Sequence, residues 1–288
     1  MITTIWISLA VLAVWIAYLL IKDFIKYRNN LENNSWYKTG LIGFIGNFFD
    51  TLGIGSFSIE TALFKFFKQS EDRLIPGTLN AANAIPTIAQ AIIFIQIVNV
   101  EPLTLSLMIV ASGLGALLGA GVVAKLPEQK IRLTMGIGLF IAASFMMANN
   151  LHWIEGEGKA IGLEGGTLVF AVAVNFVLGA LMTAGIGLYA PCMALVFALG
   201  MSPEVAFPIM MGSCAFLMPL ATIKFIKEGA YNKRATFIIA ITGTIAVLIA
   251  AFLVKSLPME VLRWLVIVVI IYTSMLMLRA ALSHNEKS

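Results

Sequence analysis

The chain has 288 residues, of which 60% are hydrophobic and 12% are charged, and its mean hydropathy is +0.94. These values exclude an ordinary soluble globular domain and indicate an integral membrane protein. Its apolar runs are long and lack the two-residue alternation of barrel strands, so we predict an all-α polytopic membrane protein.

The first apolar run, Ile2 to Ile21, has no basic residue before it, whereas Lys22, Lys26 and Arg28 follow it. A cleavable signal peptide would show the opposite order of charges and a small-residue cleavage site. We therefore predict an extra N-terminal transmembrane helix that is retained, with the N-terminus outside the cell, and a polar link that ends at Lys38.

Eight further apolar segments follow, and the links between them are too short for a soluble domain. The segments are Gly40 to Phe64, Leu74 to Val98, Leu103 to Ala124, Leu133 to Leu151, Gly166 to Leu199, Val205 to Ile223, Ala235 to Val254 and Trp264 to Leu278.

The segment from Gly166 to Leu199 is too long for one crossing. As a straight helix, at about 1.5 Å per residue, it would measure nearly twice the roughly 30 Å thickness of the hydrocarbon core. A Gly-Ile-Gly (GIG) turn at 185–187 and Pro191 lie in its middle, where helix propensity is lowest. We predict two half-helices joined by the GIG turn, which together form a hairpin.

The second half of the chain repeats the order of features in the first half. Aligning the two GIG turns, 53–55 with 185–187, also places Pro76 on Pro208. Moving this alignment by one residue places the Leu-Pro turn at 126–127 on the Leu-Pro turn at 257–258. The shared order of turns predicts two repeats.

Basic residues decide how these repeats cross the membrane. If both GIG segments are re-entrant hairpins, every strongly basic loop lies on one side, and the loop with Glu155, Glu157 and Glu164 lies on the other. The positive-inside rule favours this arrangement, with the C-terminus in the cytoplasm. The basic residues are Lys22, Lys26, Arg28, Lys38, Lys65, Lys68, Arg73, Lys125, Lys130, Arg132, Lys224, Lys227, Lys233 and Arg234.

Each repeat then contains one hairpin and three transmembrane helices, an odd number of crossings, so the two repeats have inverted topology. Secondary transporters are commonly built in this way, with the substrate near the midplane. The predicted units are an N-terminal helix and link at 1–38, a first repeat at 39–151, an external loop at 152–165, and a second repeat with a short tail at 166–288.

Three segments are characteristic: GNFFDTLGIGSFSIETALF at 46–64, IPGTLNAANAIPT at 75–87 and GALMTAGIGLYAPCMALVFALG at 179–200. Through these segments the sequence resembles the sulfite exporter TauE/SafE family of small-anion transporters. Ser56 and Leu188 stand where the family's usual turns have a third glycine. Pro191 is the proline that the family typically has a few residues after the turn. The resemblance implies transport of sulfite, organosulfonates or carboxylates across a bacterial plasma membrane.

The GIG turns themselves suit an anion. A half-helix that begins at such a turn presents unpaired N–H groups and its positive dipole end, and glycine allows close approach. Serine hydroxyls in the first half either cap the helix or bind an oxyanion. The predicted contacts at the two turns are Gly53, Gly55, Ser56, Ser58, Gly185, Gly187 and Tyr189.

The proline-led segment after each hairpin supplies further candidates. Asn80, Asn83, Thr87 and Gln90 follow one another at steps of three and four and share one helix face. The stripe either lines a substrate pathway or joins helices by hydrogen bonds. Our substrate-binding candidates here are Asn80, Asn83 and Thr87, with Ser213 in the second half.

Asp50 and Glu60 flank the first GIG turn. A carboxylate at membrane depth is costly, which makes both residues candidates for coupling. Either they carry protons with the anion, or they meet a basic residue or a coupling cation; for Glu60, snorkelling or structural pairing is the alternative. Whether coupling uses protons or sodium, and whether the protein forms a homodimer, stays open.

Several functions are not indicated. Cys192 and Cys214 lie in apolar segments and predict buried thiols, with no metal centre. The GIG turns lack the lysine and hydroxyl of a phosphate-binding loop, and the net charge of +4 gives no reason to expect nucleic acid or a cofactor. We predict a secondary anion transporter; the alternatives are a cation transporter that uses the two carboxylates and a membrane-embedded enzyme or assembly factor.

Overall fold

The computed structural model describes residues 2–151, 153, 158–253 and 259–282. These residues form α-helices and two short 3₁₀ turns, without a β-strand among them, which confirms the predicted all-α class. The helices are α1 (Ile2–Tyr27), α2 (Trp36–Thr51), α3 (Ser56–Phe67), α4 (Ile75–Ile97), α5 (Pro102–Val123), α6 (Glu128–Asn150), α7 (Gly165–Met182), α8 (Tyr189–Ala198), α9 (Ala206–Glu228), α10 (Lys233–Leu253) and α11 (Met259–Leu282).

Both GIG turns interrupt their helices, as predicted. α2 stops at Thr51 and α3 begins at Ser56, while α7 stops at Met182 and α8 begins at Tyr189. The turns require glycine, because φ is +82° at Gly53, +97° at Gly55 and +87° at Gly185. The predicted break in the segment that begins at Gly166 is therefore confirmed.

Six helices in the described part of the chain are long and apolar enough to cross a membrane: α1, α4, α5, α7, α9 and α10. This set supports a multi-pass membrane protein but differs from the sequence prediction, which counts α6 and α11 as crossings and α7 as half of a hairpin. α7 has 18 residues and is about 27 Å long, close to the hydrocarbon thickness.

The first helix is longer than predicted. The hydropathy of the sequence places its end at Ile21, but α1 continues to Tyr27. The Tyr231 hydroxyl donates a hydrogen bond to Asp23, and the ring of Phe24 stacks on Phe237 with centroids 4.2 Å apart. These contacts hold the polar last turns of α1 in helical form and shorten the predicted link.

Helices of one half pack mainly against helices of the other half. α2 lies along α10, and its counterpart α7 lies along α5; α4 packs against α9, and α6 packs against α11. The backbones approach closely, since a β-carbon on Gly115 would lie 1.9 Å from the carbonyl oxygen of Phe176. The contact of α2 with α10 corresponds to that of α7 with α5, and the pairs α4 with α9 and α6 with α11 each join two helices that hold the same place in the two halves.

The loops gather at two opposite ends of the helix bundle. At one end, Ser35 N donates to Gln69 Oε1 at 2.7 Å, Asn232 N donates to Thr78 Oγ1 at 2.9 Å, and Arg132 pairs with Asp72. These contacts bring the basic loops before α2, after α3, before α6 and before α10 together.

The start of α7 and the end of α8 meet at the other end. A short bridge there joins Ala160 to Met201, and Glu101 N donates to the carbonyl oxygen of Ile161 at 2.8 Å. Glu164 precedes α7 at this same end, whereas Glu155 and Glu157 lie outside the described residues. The Leu-Pro turn at 257–258, used above to align the repeats, also lies outside them.

Candidate functional site

The two GIG turns face each other in the interior of the bundle. A β-carbon on Gly55 would lie 3.8 Å from Cβ of Tyr189, and one on Gly187 would lie 3.9 Å from Cβ of Phe57. Phe57 and Tyr189 hold equivalent positions when the two GIG turns are aligned. Each turn therefore abuts the first turn of the half-helix that follows the other.

A cavity of about 20 Å³ lies between the turns, with room for about one water molecule. Six of the residues that the sequence predicts for the site line it: Asp50, Gly55, Ser56, Ser58, Gly187 and Tyr189. The remaining lining is Ile54, Phe57, Met182, Leu188, Ala190 and Met218. The structure thus brings candidates from both halves into one site.

The two helices that begin at this cavity, α3 and α8, are both short. α3 has 12 residues and is about 18 Å long, and α8 has 10 residues and is about 15 Å long. Each half-helix runs from the cavity to a different end. Both N-termini point at the cavity, so the positive ends of two helix dipoles converge there.

Asp50 connects the two turns. One of its carboxylate oxygens accepts a hydrogen bond from the backbone N–H of Ser56, the first residue of α3, and the other accepts one of 3.1 Å from the Tyr189 hydroxyl. The side chain is 2% exposed. Asp50 therefore caps the half-helix of its own repeat and contacts the half-helix of the other.

Polar side chains extend from this cavity toward α4. The Tyr189 hydroxyl lies 3.0 Å from Gln90 Oε1, and Gln90 Nε2 donates to Thr51 Oγ1 at 3.1 Å. All of these groups are buried. Gln90 is the member of the predicted α4 stripe that lies nearest the cavity.

Glu60 is the centre of a second buried cluster, formed by α2, α3 and α4. Asn83 Nδ2 donates to one carboxylate oxygen at 2.8 Å, and Asn47 Nδ2 donates to the other at 3.1 Å. The two amides are also joined, with Asn47 Nδ2 at 2.7 Å from Asn83 Oδ1. Glu60 is fully buried, so the alternative that it snorkels is wrong.

The other predicted contacts do not reach the cavity. Gly53 and Gly185 form the backs of the turns, where added β-carbons would lie 2.8 Å from the Phe207 ring and 2.7 Å from Met135 Cε. Asn80 donates to the Pro76 carbonyl oxygen of its own helix. These residues shape the turns and α4 without lining the cavity.

Ser213 and Thr87 also lie away from the cavity. The Ser213 hydroxyl accepts a 2.9 Å hydrogen bond from Asn175 and joins α7 to α9, which matches the interhelical alternative. The Thr87 hydroxyl is buried without a hydrogen-bond partner in the described part of the chain. A buried hydroxyl without a partner costs free energy.

Sequence reasoning missed Asn47, Thr51 and Asn175. Asn47 and Thr51 lie on one face of α2 at a spacing of four and adjoin Asp50, so the step rule used for α4 could have found them. Asn175 stands alone in an apolar helix, and its bond to Ser213 has no signal in the sequence.

The electrostatics of the site are set by two carboxylates and two helix N-termini. Within the described residues, neither the cavity lining nor the Glu60 cluster contains a lysine or an arginine, and no group of three His, Cys, Asp or Glu side chains could hold a metal ion. The arrangement can bind a small charged solute through N–H groups and hydroxyls and can hold protons on carboxyl groups.

The model of the family described as "Sulfite exporter TauE/SafE" matches residues 2–146 and 167–288. A search of the curated proteins and one of the solved structures found no match. The family is one of membrane transporters and not of enzymes. Because its model matches nearly the whole length, the chain belongs to the sulfite exporter TauE/SafE family, whose members transport sulfite-type anions across membranes.

Proposed function

We propose that the chain is a secondary transporter that moves a small anion, such as sulfite, an organosulfonate or a carboxylate, by alternating access between the two GIG turns. The observation that carries this proposal is the meeting of the N-termini of α3 and α8 at one buried cavity. N–H groups and dipole ends in the interior of the bundle attract anions, and no basic side chain is needed.

The packing supports an inverted repeat with two re-entrant hairpins. α2 and α3 leave and return at the end that holds the basic loops, and α7 and α8 do the same at the opposite end. Counterpart helices form counterpart contacts across the halves. This pattern agrees with a two-fold relation in the membrane plane, with α6 and α11 as further crossings.

The size of the cavity supports alternating access. About 20 Å³ is too small for a sulfite ion, which has four heavy atoms. Loading and release therefore require the half-helices to separate. A β-carbon added at Gly55 would still lie 3.8 Å from Tyr189, whereas one added at Gly115 would clash with α7, so the two turns are packed less tightly than α5 on α7.

The orientation that we propose follows from the basic end. Lys and Arg collect on the cytoplasmic side of a bacterial plasma membrane, which places the N-terminus outside and the C-terminus inside. Single cysteines at Ser70 and Lys130 should then react with an impermeant maleimide only in inverted vesicles, and one at Lys159 only in intact cells. Labelling of Ser70→Cys in intact cells would exclude the first hairpin.

Counterflow in proteoliposomes tests the transport itself. Vesicles with the full chain, loaded with unlabelled sulfite, should accumulate radiolabelled sulfite, and sulfonates or carboxylates should compete. Ser56→Ala removes a cavity hydroxyl and should lower the rate. Ser106→Ala, whose hydroxyl bonds its own helix at 2.6 Å, should not. Absence of saturable counterflow with all three anion classes would reject the proposal.

A cation transporter is the second candidate, because Asp50 and Glu60 are buried beside neutral partners only. Sodium would then bind the carboxylates directly. Isothermal titration of the wild type and of Asp50→Asn with sodium and with sulfite separates the two functions. Sodium binding that is lost in the variant, without any sulfite binding in either protein, favours the cation transporter.

A further inference from the structure

We propose that the Asp50 carboxylate is a tethered competitor of the transported anion, so that the anion binds only when Asp50 takes up a proton. This inference rests on the proposed function and names its coupling device. It assigns Asp50 to the position at the N-terminus of α3 where an anionic substrate would otherwise bind, and it predicts one proton bound for each anion.

The first observation is the position of the carboxylate. It accepts a hydrogen bond from the Ser56 backbone N–H, one of the orphan donors at the start of α3. Asp50 thus does what an external anion would do at a helix N-terminus. The Ser56 hydroxyl is buried in the same cavity, beside the Asp50 carboxylate.

The second observation is the asymmetry of the two turns. Aligning the GIG turns places Met182 where the first repeat has Asp50, and Met182 lines the cavity without a charge. The N-terminus of α8 therefore faces the cavity without a carboxylate from its own repeat. The first turn of α3 thus has a carboxylate on a backbone N–H, and the first turn of α8 has no equivalent of it.

The third observation is that the surroundings of Asp50 are ready for its release. The single hydroxyl hydrogen of Tyr189 has two acceptors within reach, Asp50 Oδ2 at 3.1 Å and Gln90 Oε1 at 3.0 Å. When Asp50 is protonated and turns away, Tyr189 keeps Gln90 as its acceptor. Tyr189 thus stays satisfied in both states, and the loss of Asp50 frees the Ser56 N–H at the cavity.

Charge balance explains why a proton is required. The titratable groups around Asp50 are Tyr189 and Cys192 on α8, Glu60 on α3 and Cys214 on α9, and none of them carries a positive charge. An anion beside ionised Asp50 would place two negative charges together at low dielectric. Protonation of Asp50 as a monoanion enters leaves the total charge of the site unchanged.

The test is sulfite binding to the full chain in nanodiscs across a series of pH values. Sulfite itself titrates in this range, but its titration is common to all variants and cancels in their ratio. Relative to Asp50→Asn, the affinity of the wild type should fall about tenfold per pH unit above the pKa of the carboxyl group. Glu71→Gln, which removes an exposed carboxylate, should keep the wild-type slope.

A second measurement does not depend on the folding of a variant. In weakly buffered solution, a pH indicator measures the protons taken up when the wild type binds sulfite. After the protons due to the titration of sulfite itself are subtracted, one proton per bound sulfite should remain. Equal pH slopes for wild type and Asp50→Asn, or weaker binding by Asp50→Asn at every pH, would overturn the inference. If either of these results is found but the wild type still shows counterflow, only the role of Asp50 is rejected and the proposed function stands. If the wild type shows no counterflow, both the proposed function and the role of Asp50 are rejected.

Discussion

The side-chain amide of Asn83 donates a 2.8 Å hydrogen bond to the Glu60 carboxylate, and both side chains are completely buried. Asn47 donates to the other oxygen of the same carboxylate. Two neutral amides from α2 and α4 thus hold an acidic side chain of α3. Glu60 therefore joins the half-helix that lines the cavity to both of these neighbours.

Asn83→Leu should destabilise the protein by about 1–3 kcal/mol, because one oxygen of buried Glu60 then has no donor. Asn80→Leu is the matched control, since Asn80 lies one turn earlier and bonds only the Pro76 carbonyl of its own helix. Denaturation in mixed micelles measures both free energies of unfolding. Equal losses for the two variants would show that the contact with Glu60 contributes nothing.

The glycines of the second turn should separate folding from transport. Gly187→Ala adds a methyl group with no atom closer than 3.9 Å, so stability should change by less than about 0.5 kcal/mol, while counterflow falls because the group enters the cavity. Gly185→Ala is the comparison: φ is +87° and Met135 lies 2.7 Å away, so the fold itself should suffer. Normal counterflow in Gly187→Ala would contradict this assignment of the cavity.

The contact of α5 with α7 depends on the absence of a side chain at Gly115. Gly115→Ala would bring a methyl group to 1.9 Å from the Phe176 carbonyl oxygen and should cost about 1–3 kcal/mol as the helices move apart. Gly121→Ala on the same helix has nothing within 4 Å and should be neutral or gain up to about 1 kcal/mol of helix propensity. Thermal unfolding in detergent distinguishes the two variants.

Asp72 ties the first hairpin to α6. It lies 2.7 Å from Lys65 Nζ and 2.7 Å from Arg132 Nε, and it is 5% exposed. Asp72→Asn should cost about 1–3 kcal/mol, because a neutral amide cannot balance two cations that are only partly hydrated. Glu71→Gln, an exposed neighbour, should stay within about 0.5 kcal/mol of wild type in the same unfolding assay.

Glu101 gives a pH dependence that can be checked outside the membrane region. Partial burial acts to raise its pKa, but hydrogen bonds from the N–H groups of Thr104 and Leu103 outweigh this and hold the pKa below its ordinary value. Ionised Glu101 therefore stabilises the start of α5 above the unfolded pKa of about 4.3, and this contribution is lost as pH falls through the lower folded pKa.

Glu101→Gln should accordingly lower the free energy of unfolding by about 0.5–1 kcal/mol at pH 7. The difference from the wild type should shrink to zero as the pH falls below the folded pKa. Unfolding curves of both proteins at a series of pH values measure this difference. A constant difference at every pH would mean that the charge of the carboxylate does not cap the helix.

The candidate site contains residues that the sequence predicts correctly and contacts that it does not predict. The GIG turns, Ser56, Ser58 and Tyr189 were found because glycine and hydroxyl residues inside apolar runs are unusual. Ser213 is predicted as the second-half equivalent of the polar stripe on α4, but in the structure it bonds Asn175 on another helix. A polar residue in a membrane helix shows only that it faces protein, not which helix it meets.

The sequence by itself determined the helical class, the two helix breaks and the repeated order of elements, because hydropathy, glycine and proline act over a few residues. It also singled out Asp50 and Glu60, since a charge in an apolar run is visible without a fold. Only the tertiary structure decided that Asp50 caps α3 and contacts Tyr189, 139 residues away, and that Glu60 lies between two asparagines. These contacts depend on how helices from both halves pack, which no local pattern encodes.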